Sequence, residues 1–383
     1  MKHYSKAAVF FALFLAVFLC FSSCAEKPQE PSDEVLSTAD LGIIHEPEFG
    51  GIYIKMTIED FNALGFNFGD SVDIVFSNGF TLKDLPYYSG YYVDAGQRLL
   101  VGYPGYDYIK AAINYGEDMW DVASVSETDT AKVTLNEKGK YLNVQEARDI
   151  NYTDKRTDYA SNEIFANFRE VKVGSLKEKT LYRSASPCDN QHNRAPFVDA
   201  LIEGAGVKCI LNLSDNEDKI EGYIAADGFD SPYFLSLYKA GNVIPLSMNM
   251  NYASDEFRGK VADGFTRMSE HEGPYLVHCT EGKDRTGFMC MLLEAFAGAS
   301  YEEIVDDYML TYDNYYKITE TSDPVKYNTI KEKNIDTMLL TVIGDQNADL
   351  GKTDLAAAAR NYLSGCGMTD KALDALEAKL VNK

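Results

Sequence analysis

The chain has 383 residues, enough for two domains with separate hydrophobic cores. Charged residues make up 25% of it and hydrophobic ones 45%, the balance of a globular protein. A formal net charge of −23 opposes association with nucleic acid or anionic surfaces, so any anion the protein handles must be held by a local positive pocket.

Two lysines in MKHYSK precede the apolar run AAVFFALFLAVFLCF, and Ser22, Ser23 and Cys24 follow. The run is about 15 residues long, short of the roughly 20 that span a bilayer, and reads as a secretory signal over residues 1–23. Its end resembles the lipobox of bacterial lipoproteins, with Phe21 where that pattern has leucine. The resemblance implies that Cys24 is lipidated and opens the mature chain, which places the protein outside the cytoplasm of a bacterium, tied to the bilayer by its lipid. An uncleaved membrane anchor is the alternative. Residues 24–40 are polar, carry Pro28 and Pro31, and read as a tether.

From Leu41 to about Val125 the text is strand-like. GIYIKMTI, SVDIVFS and RLLVGYP are short β-branched or aromatic runs, and Asn78-Gly79 offers a hairpin turn. Short strands with regular turns predict a small β-barrel, and AKVTLNEKGKYL reads as a hairpin connecting it to the second half of the chain, giving a first domain over 41–150. Residues 41–125 resemble the C-terminal β-barrel of the S-adenosylmethionine hydroxide adenosyltransferases, through an FG strand start, a GD turn and an A-I-N-x-G segment. That family's catalytic domain has no counterpart here, so the resemblance implies a barrel and no activity. The tyrosines of YYSGYY and GYPGYDY read as a half-exposed strand pair, with a ligand-facing patch as the alternative.

Over 151–383 the pattern changes. The helix-like APFVDALIEGAG precedes the continuous apolar strand VKCILNL, and NVIPLSM and PYLVH come next with helical text between them. Strands alternating with helices predict an α/β domain with a central, mostly parallel sheet flanked by helices. Beyond Thr286 nearly everything reads as helix. Cys188, Cys209, Cys279, Cys290 and Cys366 are widely spaced and lack a C-x-x-C pair, so neither a disulfide framework nor a zinc site is expected. Cys209 and Cys290 read as small core residues. Cys188 and His192, four apart, are read as a loop without metal.

The stretch HCTEGKDRTG, His278 to Gly287, carries the chemistry. It follows a strand and opens a helix, where backbone N–H groups converge on an anion. Gly282 permits a tight turn, and Gly287 relieves crowding at the helix start. Cys279 joins that ring of amides beside Arg285, and both favour a sulfur anion over a thiol. The planar guanidinium of Arg285 matches two oxygens of a phosphoryl group. A thiolate facing bound phosphate can form a phosphocysteine that water resolves, with amides and guanidinium stabilising the equatorial oxygens, so no cofactor or metal is expected.

HCTEGKDRTG resembles the signature loop of the cysteine-dependent protein tyrosine phosphatase superfamily. In particular it resembles the bacterial branch with G-K-D-R-T-G loops, which includes tyrosine phosphatases that also act on phosphoinositides. ANFREVKVGSLKEKTLYRSASP and GVKCILNLSDNED resemble that branch's N-F-R-D, Y-R-S and D-L-R-S segments, so the resemblance runs from about Ala166 to Lys383. It implies Cys279 as nucleophile, Arg285 as phosphate clamp, and Thr286 as the hydroxyl steadying the departing thiolate. Thr280, Glu281, Gly282, Lys283 and Gly287 complete the phosphate loop, His278 orients it, and Lys283 favours acidic substrates. Asp284 is the implied general acid; Asp255, on a loop before the cysteine, is the rival. Asp215 stands where the branch has a supporting residue. Arg183 and Ser184 either hydrogen-bond near the site or serve a cap or structural ion pair. Glu281 departs from the branch by placing a negative charge beside the anion.

The function implied is hydrolysis of phosphotyrosine in proteins, with phosphoinositides as second substrates; an inositol polyphosphate phosphatase is one alternative. A phospho-ligand-binding lipoprotein with little turnover is the alternative from another class. A sulfurtransferase is disfavoured by the Asp284-Arg285-Thr286-Gly287 run.

Overall fold

The computed structural model describes residues 35–382. The signal segment, Cys24 and most of the tether lie outside the described residues. Seven strands come first: β1 (Leu41–Glu46), β2 (Gly51–Ile54), β3 (Ser71–Phe76), β4 (Thr81–Tyr88), β5 (Arg98–Val101), β6 (Ile109–Ile113) and β7 (Thr130–Glu137). They close into a barrel in the order β1-β2-β6-β5-β4-β3-β7. Alternate residues face inward, Val72, Ile74 and Phe76 from β3 and Ala131 and Val133 from β7, as a pleated strand with one buried face requires. Gly79 turns the β3–β4 hairpin at φ +93°. Two short helices, α1 (Ile58–Ala63) and α2 (Met119–Ala123), plug the barrel with Phe61 and Met119.

Two readings of the sequence are corrected here. AKVTLNEKGKYL is not a connecting hairpin. Its first half is β7, which pairs with both β3 and β1 and closes the barrel. The tether also ends before residue 40, because the Leu36 carbonyl accepts from Leu135 N at 2.8 Å and Thr38 N donates to the Val133 carbonyl at 2.9 Å. Closing the barrel needed partners for β7 on both sides, which local pattern does not reveal.

Helix α3 (Leu142–Arg148) leaves the barrel. Gln145 is tied to it through Ser89, whose N and Oγ lie 3.1 and 2.7 Å from the amide, while Ala147 is buried in the core of the second half. One helix therefore belongs to both halves. After a short helix α4 (Asn162–Phe165) come β8 (Arg169–Glu170), β9 (Leu181–Ser184), β10 (Cys209–Asn212), β11 (Val243–Pro245) and β12 (Tyr275–His278). Their order is β11-β10-β12-β9-β8, with parallel pairing throughout except at the β8 edge.

Both faces of this sheet are covered. Ile210 and Leu276 face α5 (Ala195–Gly204), α6 (Glu217–Ala225) and α7 (Pro232–Lys239), meeting Val198, Ile202, Ile220 and Phe234. Leu211 and Val277, one residue on, face α8 (Asp255–Glu270) and α9 (Asp284–Phe296). Behind them lie α10 (Tyr301–Tyr316), α11 (Pro324–Ile330), a π-helical turn at Lys331–Asp336, α12 (Thr337–Ile343), α13 (Leu355–Gly365) and α14 (Asp370–Leu380). Helix α9 is buried on every side from Thr286 on, and GFMCMLLEAF is accordingly apolar all round except for Glu294. Each fully buried side chain of this size contributes about 1.5–3 kcal/mol.

Candidate active site

In register, Ser184, His278 and Asn212 end β9, β12 and β10 side by side, at the carboxyl edge where parallel sheets place their ligands. HCTEGKDRTG starts there and runs into α9. Gly282 has φ +71°, and a Cβ on it would lie 2.3 Å from the Ser184 carbonyl oxygen, so the loop crosses the end of β9 in direct backbone contact. A Cβ on Gly287 would lie 2.5 Å from the Tyr308 ring, which lets α10 pack on the first turn of α9.

The loop's peptide groups are satisfied on one side only. The Thr280 carbonyl accepts from Ser186 N at 3.1 Å, that of Glu281 from the Tyr315 hydroxyl at 2.8 Å, and that of Lys283 from Gly287 N at 2.7 Å. The Gly282 carbonyl accepts from Asn167 Nδ2 at 3.1 Å and Arg183 Nη2 at 3.2 Å, and His278 Nδ1 lies 3.2 Å from the Cys279 carbonyl. By contrast, the backbone N–H groups from Thr280 to Thr286 donate to no acceptor among the described residues. Seven consecutive free donors, with their carbonyls tied to the protein, form an anion-binding cup at a helix N-terminus.

Cys279 sits in this loop at 4% exposure. Arg285 stands at its other end, donating from Nη1 to the Met248 carbonyl at 3.2 Å and from Nη2 to Thr280 Oγ1 at 3.5 Å. No carboxylate among the described residues reaches ion-pair distance of it, so its charge is free for a ligand. The Thr286 hydroxyl is fully buried without a partner, and so is His278 Nε2. Burial lowers the His278 imidazole to about 4, so the ring is neutral at ordinary pH.

A buried network holds the cup. Asp307 of α10 accepts from Arg169 Nε at 2.8 Å and also from Arg183 Nη1; Arg169 Nη1 donates to Asn167 Oδ1 at 2.7 Å. Burial would raise the Asp307 carboxyl, but the two guanidiniums outweigh it and hold it well below the usual range. Burial pushes the Glu294 carboxyl, beside Asp307, well above its usual value. Arg183 thus has both roles open in the sequence: it forms a structural ion pair and reaches the loop. Ser184 lends its carbonyl to the crossing, while its hydroxyl donates to the Ala185 carbonyl at 2.7 Å.

Glu281 does not leave an unmatched charge beside the cup. It accepts from the Tyr152 hydroxyl at 2.7 Å and lies 3.2 Å from Lys283 Nζ. Burial raises its carboxyl, yet Lys283 and Tyr152 together bring it below the usual range. Lys283 is also 3.8 Å from Asp284 and donates to the Tyr316 hydroxyl at 3.2 Å. Asp284 opens α9 with a 34% exposed side chain. Asp255 instead begins α8 as an exposed residue after the Ser254 cap. Asp215 is buried, accepting from Asn212 Nδ2 at 3.1 Å and the Tyr223 hydroxyl at 3.3 Å, and its carbonyl holds Ser247 next to Met248. Cys188 is bound to Ser186, and burial pushes its thiol up to about 12.

Asn167, Arg169, Asp307 and Tyr152 were not named from the sequence. The first two lie in NFRE, a motif that pointed to the region. Asp307 and Tyr152 carry no local signal, because their partners are more than 100 residues away in the chain.

Among curated proteins none matches the chain. Among solved structures, an uncharacterized conserved protein from Thermotoga maritima is 22% identical over 28% of this chain, which spans 40% of that protein's length (TM-score 0.22). The core catalytic domain of the PP-IP phosphatase SIW14 from S. cerevisiae, in complex with citrate, is 22% identical over 45% of this chain and 88% of its own (TM-score 0.26). TpbA from P. aeruginosa in complex with pTyr is 18% identical over 45% of this chain and 94% of its own (TM-score 0.26). The model of the tyrosine phosphatase family matches residues 163–382. That match takes in the loop, the network behind it and more than half of the chain, and the protein belongs to the tyrosine phosphatase family and is a phosphatase.

Proposed function

We propose that the protein hydrolyses phosphomonoesters through a phosphocysteine intermediate formed on Cys279. The observation that carries this reading is the cup of seven free amides around Cys279, with Arg285 unpaired at its edge. The sulfur attacks phosphorus, the bond to the leaving oxygen breaks, and Asp284 protonates that oxygen. Water then attacks the phosphocysteine, Asp284 takes its proton, and phosphate leaves as the thiolate re-forms with the Thr286 hydroxyl beside it. Amides and guanidinium bind the equatorial oxygens throughout. His278, neutral and buried, holds the loop by its Nδ1 hydrogen.

Phosphotyrosine is the proposed substrate, with phosphoinositides or inositol polyphosphates as others; the G-K-D-R-T-G loop supports this choice. The ion pair of Glu281 with Lys283 and its hydrogen bond from Tyr152 support turnover over a binding site without it. The leader sequence and Cys24 support an extracytoplasmic, lipid-anchored enzyme. Turnover of an aryl phosphate in the presence of a chelator, abolished by Cys279→Ser, tests the chemistry; persistent activity in that variant refutes it. Labelling by a fatty-acid analogue, lost in Cys24→Ser, tests the anchor.

A further inference from the structure

Two stacked tyrosines grip one residue of the catalytic loop, and one of them comes from outside the matched residues 163–382. Tyr152 lies between α3 and α4. Its ring packs on that of Tyr315 in α10, with centroids 5.0 Å apart and planes 25° from parallel. The Tyr152 hydroxyl donates to the Glu281 carboxylate at 2.7 Å, and the Tyr315 hydroxyl donates to the Glu281 carbonyl at 2.8 Å. One aromatic pair thus holds both the side chain and the main chain of Glu281.

The pair is itself fixed. The Arg194 guanidinium lies 4.8 Å from the Tyr152 ring centroid and 5.0 Å from that of Tyr315. It is anchored by the Asp154 carboxylate at 2.6 Å and the Phe165 carbonyl at 2.9 Å. Tyr316 meets the Tyr152 ring edge-on at 5.6 Å. The His192 ring nitrogens lie 3.5 Å from the Tyr152 hydroxyl.

Glu281 follows Cys279 by two residues, and its placement sets two donors of the cup. Its own N–H shares a peptide with the Thr280 carbonyl, which Ser186 holds; the Gly282 N–H shares a peptide with the Glu281 carbonyl, which Tyr315 holds. Each peptide is planar, so a tilt of Glu281 turns both N–H groups away from the anion. Its carboxylate also pairs with Lys283 at 3.2 Å, and Lys283 lies 3.8 Å from Asp284. Without the Tyr152 hydroxyl, one oxygen of a half-buried carboxylate loses its partner, which favours a turn of the side chain towards water.

We propose that Tyr152 is a positioning residue for the phosphatase reaction: its hydroxyl, acting through Glu281, aligns the Glu281 and Gly282 amides on the transferring phosphoryl group. This rests on the phosphatase reading. The segment ahead of the matched domain thereby takes part in shaping the phosphate loop.

The test measures kcat and KM of the full chain for p-nitrophenyl phosphate, with thermal melts confirming folding. Tyr152→Phe keeps the ring and its stack and removes only the hydroxyl. It should lower kcat about tenfold and leave KM within about threefold, since the amides act most strongly on the charge of the transition state. The same substitution should cost less than about twofold in a Glu281→Ala background, where the hydroxyl has no carboxylate to hold, and its full tenfold in a His192→Ala background. Tyr152→Phe within twofold of wild type overturns the proposal. So does an equal loss with and without the Glu281 carboxylate, which is the mark of a merely structural role, or a loss that vanishes in the His192→Ala background. Should Glu281→Ala fail to fold, the His192→Ala pair still decides between the two partners of the hydroxyl. A wild type that releases no phosphate overturns the phosphatase reading as well, whereas each of the other refutations is read on an active wild type.

Discussion

Replacing Gly282 with alanine tests whether the loop's backbone contact with β9 sets the geometry of the cup. The new Cβ would lie 2.3 Å from the Ser184 carbonyl oxygen, 2.4 Å from its carbon and 2.8 Å from Ala185 N, all backbone atoms at the carboxyl end of β9. Ordinary contact begins near 3.4 Å, so loop and strand must separate by about 1 Å. A misplacement of that size at a reacting centre costs about a hundredfold in rate. The left-handed φ of +71° adds about 1–2 kcal/mol of strain. Gly298 is the control, because its φ of +78° is as left-handed but nothing lies within 4 Å of its Cβ position. Gly298→Ala should lower the melting temperature by about 2–4 °C and leave aryl phosphatase activity intact. Gly282→Ala should lose about two orders of magnitude in kcat. Activity of Gly282→Ala within about threefold of wild type would refute the argument that this crossing positions the amides.

The same geometry predicts three further outcomes. Asp284→Asn should slow hydrolysis of an alkyl phosphate about a hundredfold or more, and hydrolysis of p-nitrophenyl phosphate much less, since that leaving group needs no proton. Asp255→Asn should show no such split, and the reverse pattern would transfer the acid role to Asp255. Asp307→Asn leaves Arg169 and Arg183 buried without their counter-ion and should cost about 3–5 kcal/mol by chemical denaturation, whereas Glu294→Gln, at a carboxyl whose burial favours the protonated form, should stay within about 1 kcal/mol. The His278 ring falls from about 6.5 in the unfolded chain to about 4 in the folded one. Its contribution is therefore full above about pH 6.5, declines as the unfolded ring protonates, and is gone once the folded ring protonates near 4. Stability should drop by about 3 kcal/mol across that window, and His278→Gln should remove that component from the pH profile.

Much of the site was legible because its chemistry is contiguous. A strand, a glycine turn, a cysteine, an arginine and a helix start occur within ten residues, and each constrains the same backbone amides. The hairpin at Asn78-Gly79 and the apolar strands ending at Asn212 and His278 were legible for the same reason, since turn chemistry and strand period are local. The closing strand β7 was misread because its text matches a hairpin as well as a barrel strand, and only its two partners decide between them.

By itself, then, the sequence determined the glycine turn between strand and helix around Cys279, the alternation of strands and helices behind it, and an acidic composition that needs a local receptor for anions. Tertiary structure decided which charges around the loop are free. Asp307 pairs with both Arg169 and Arg183 from a helix more than a hundred residues away, Lys283 pairs with Glu281, which also accepts from Tyr152, and Arg285 has no carboxylate partner among the described residues. The reason is that ion pairing and desolvation depend on distance in space, and no period or spacing in the chain encodes that distance.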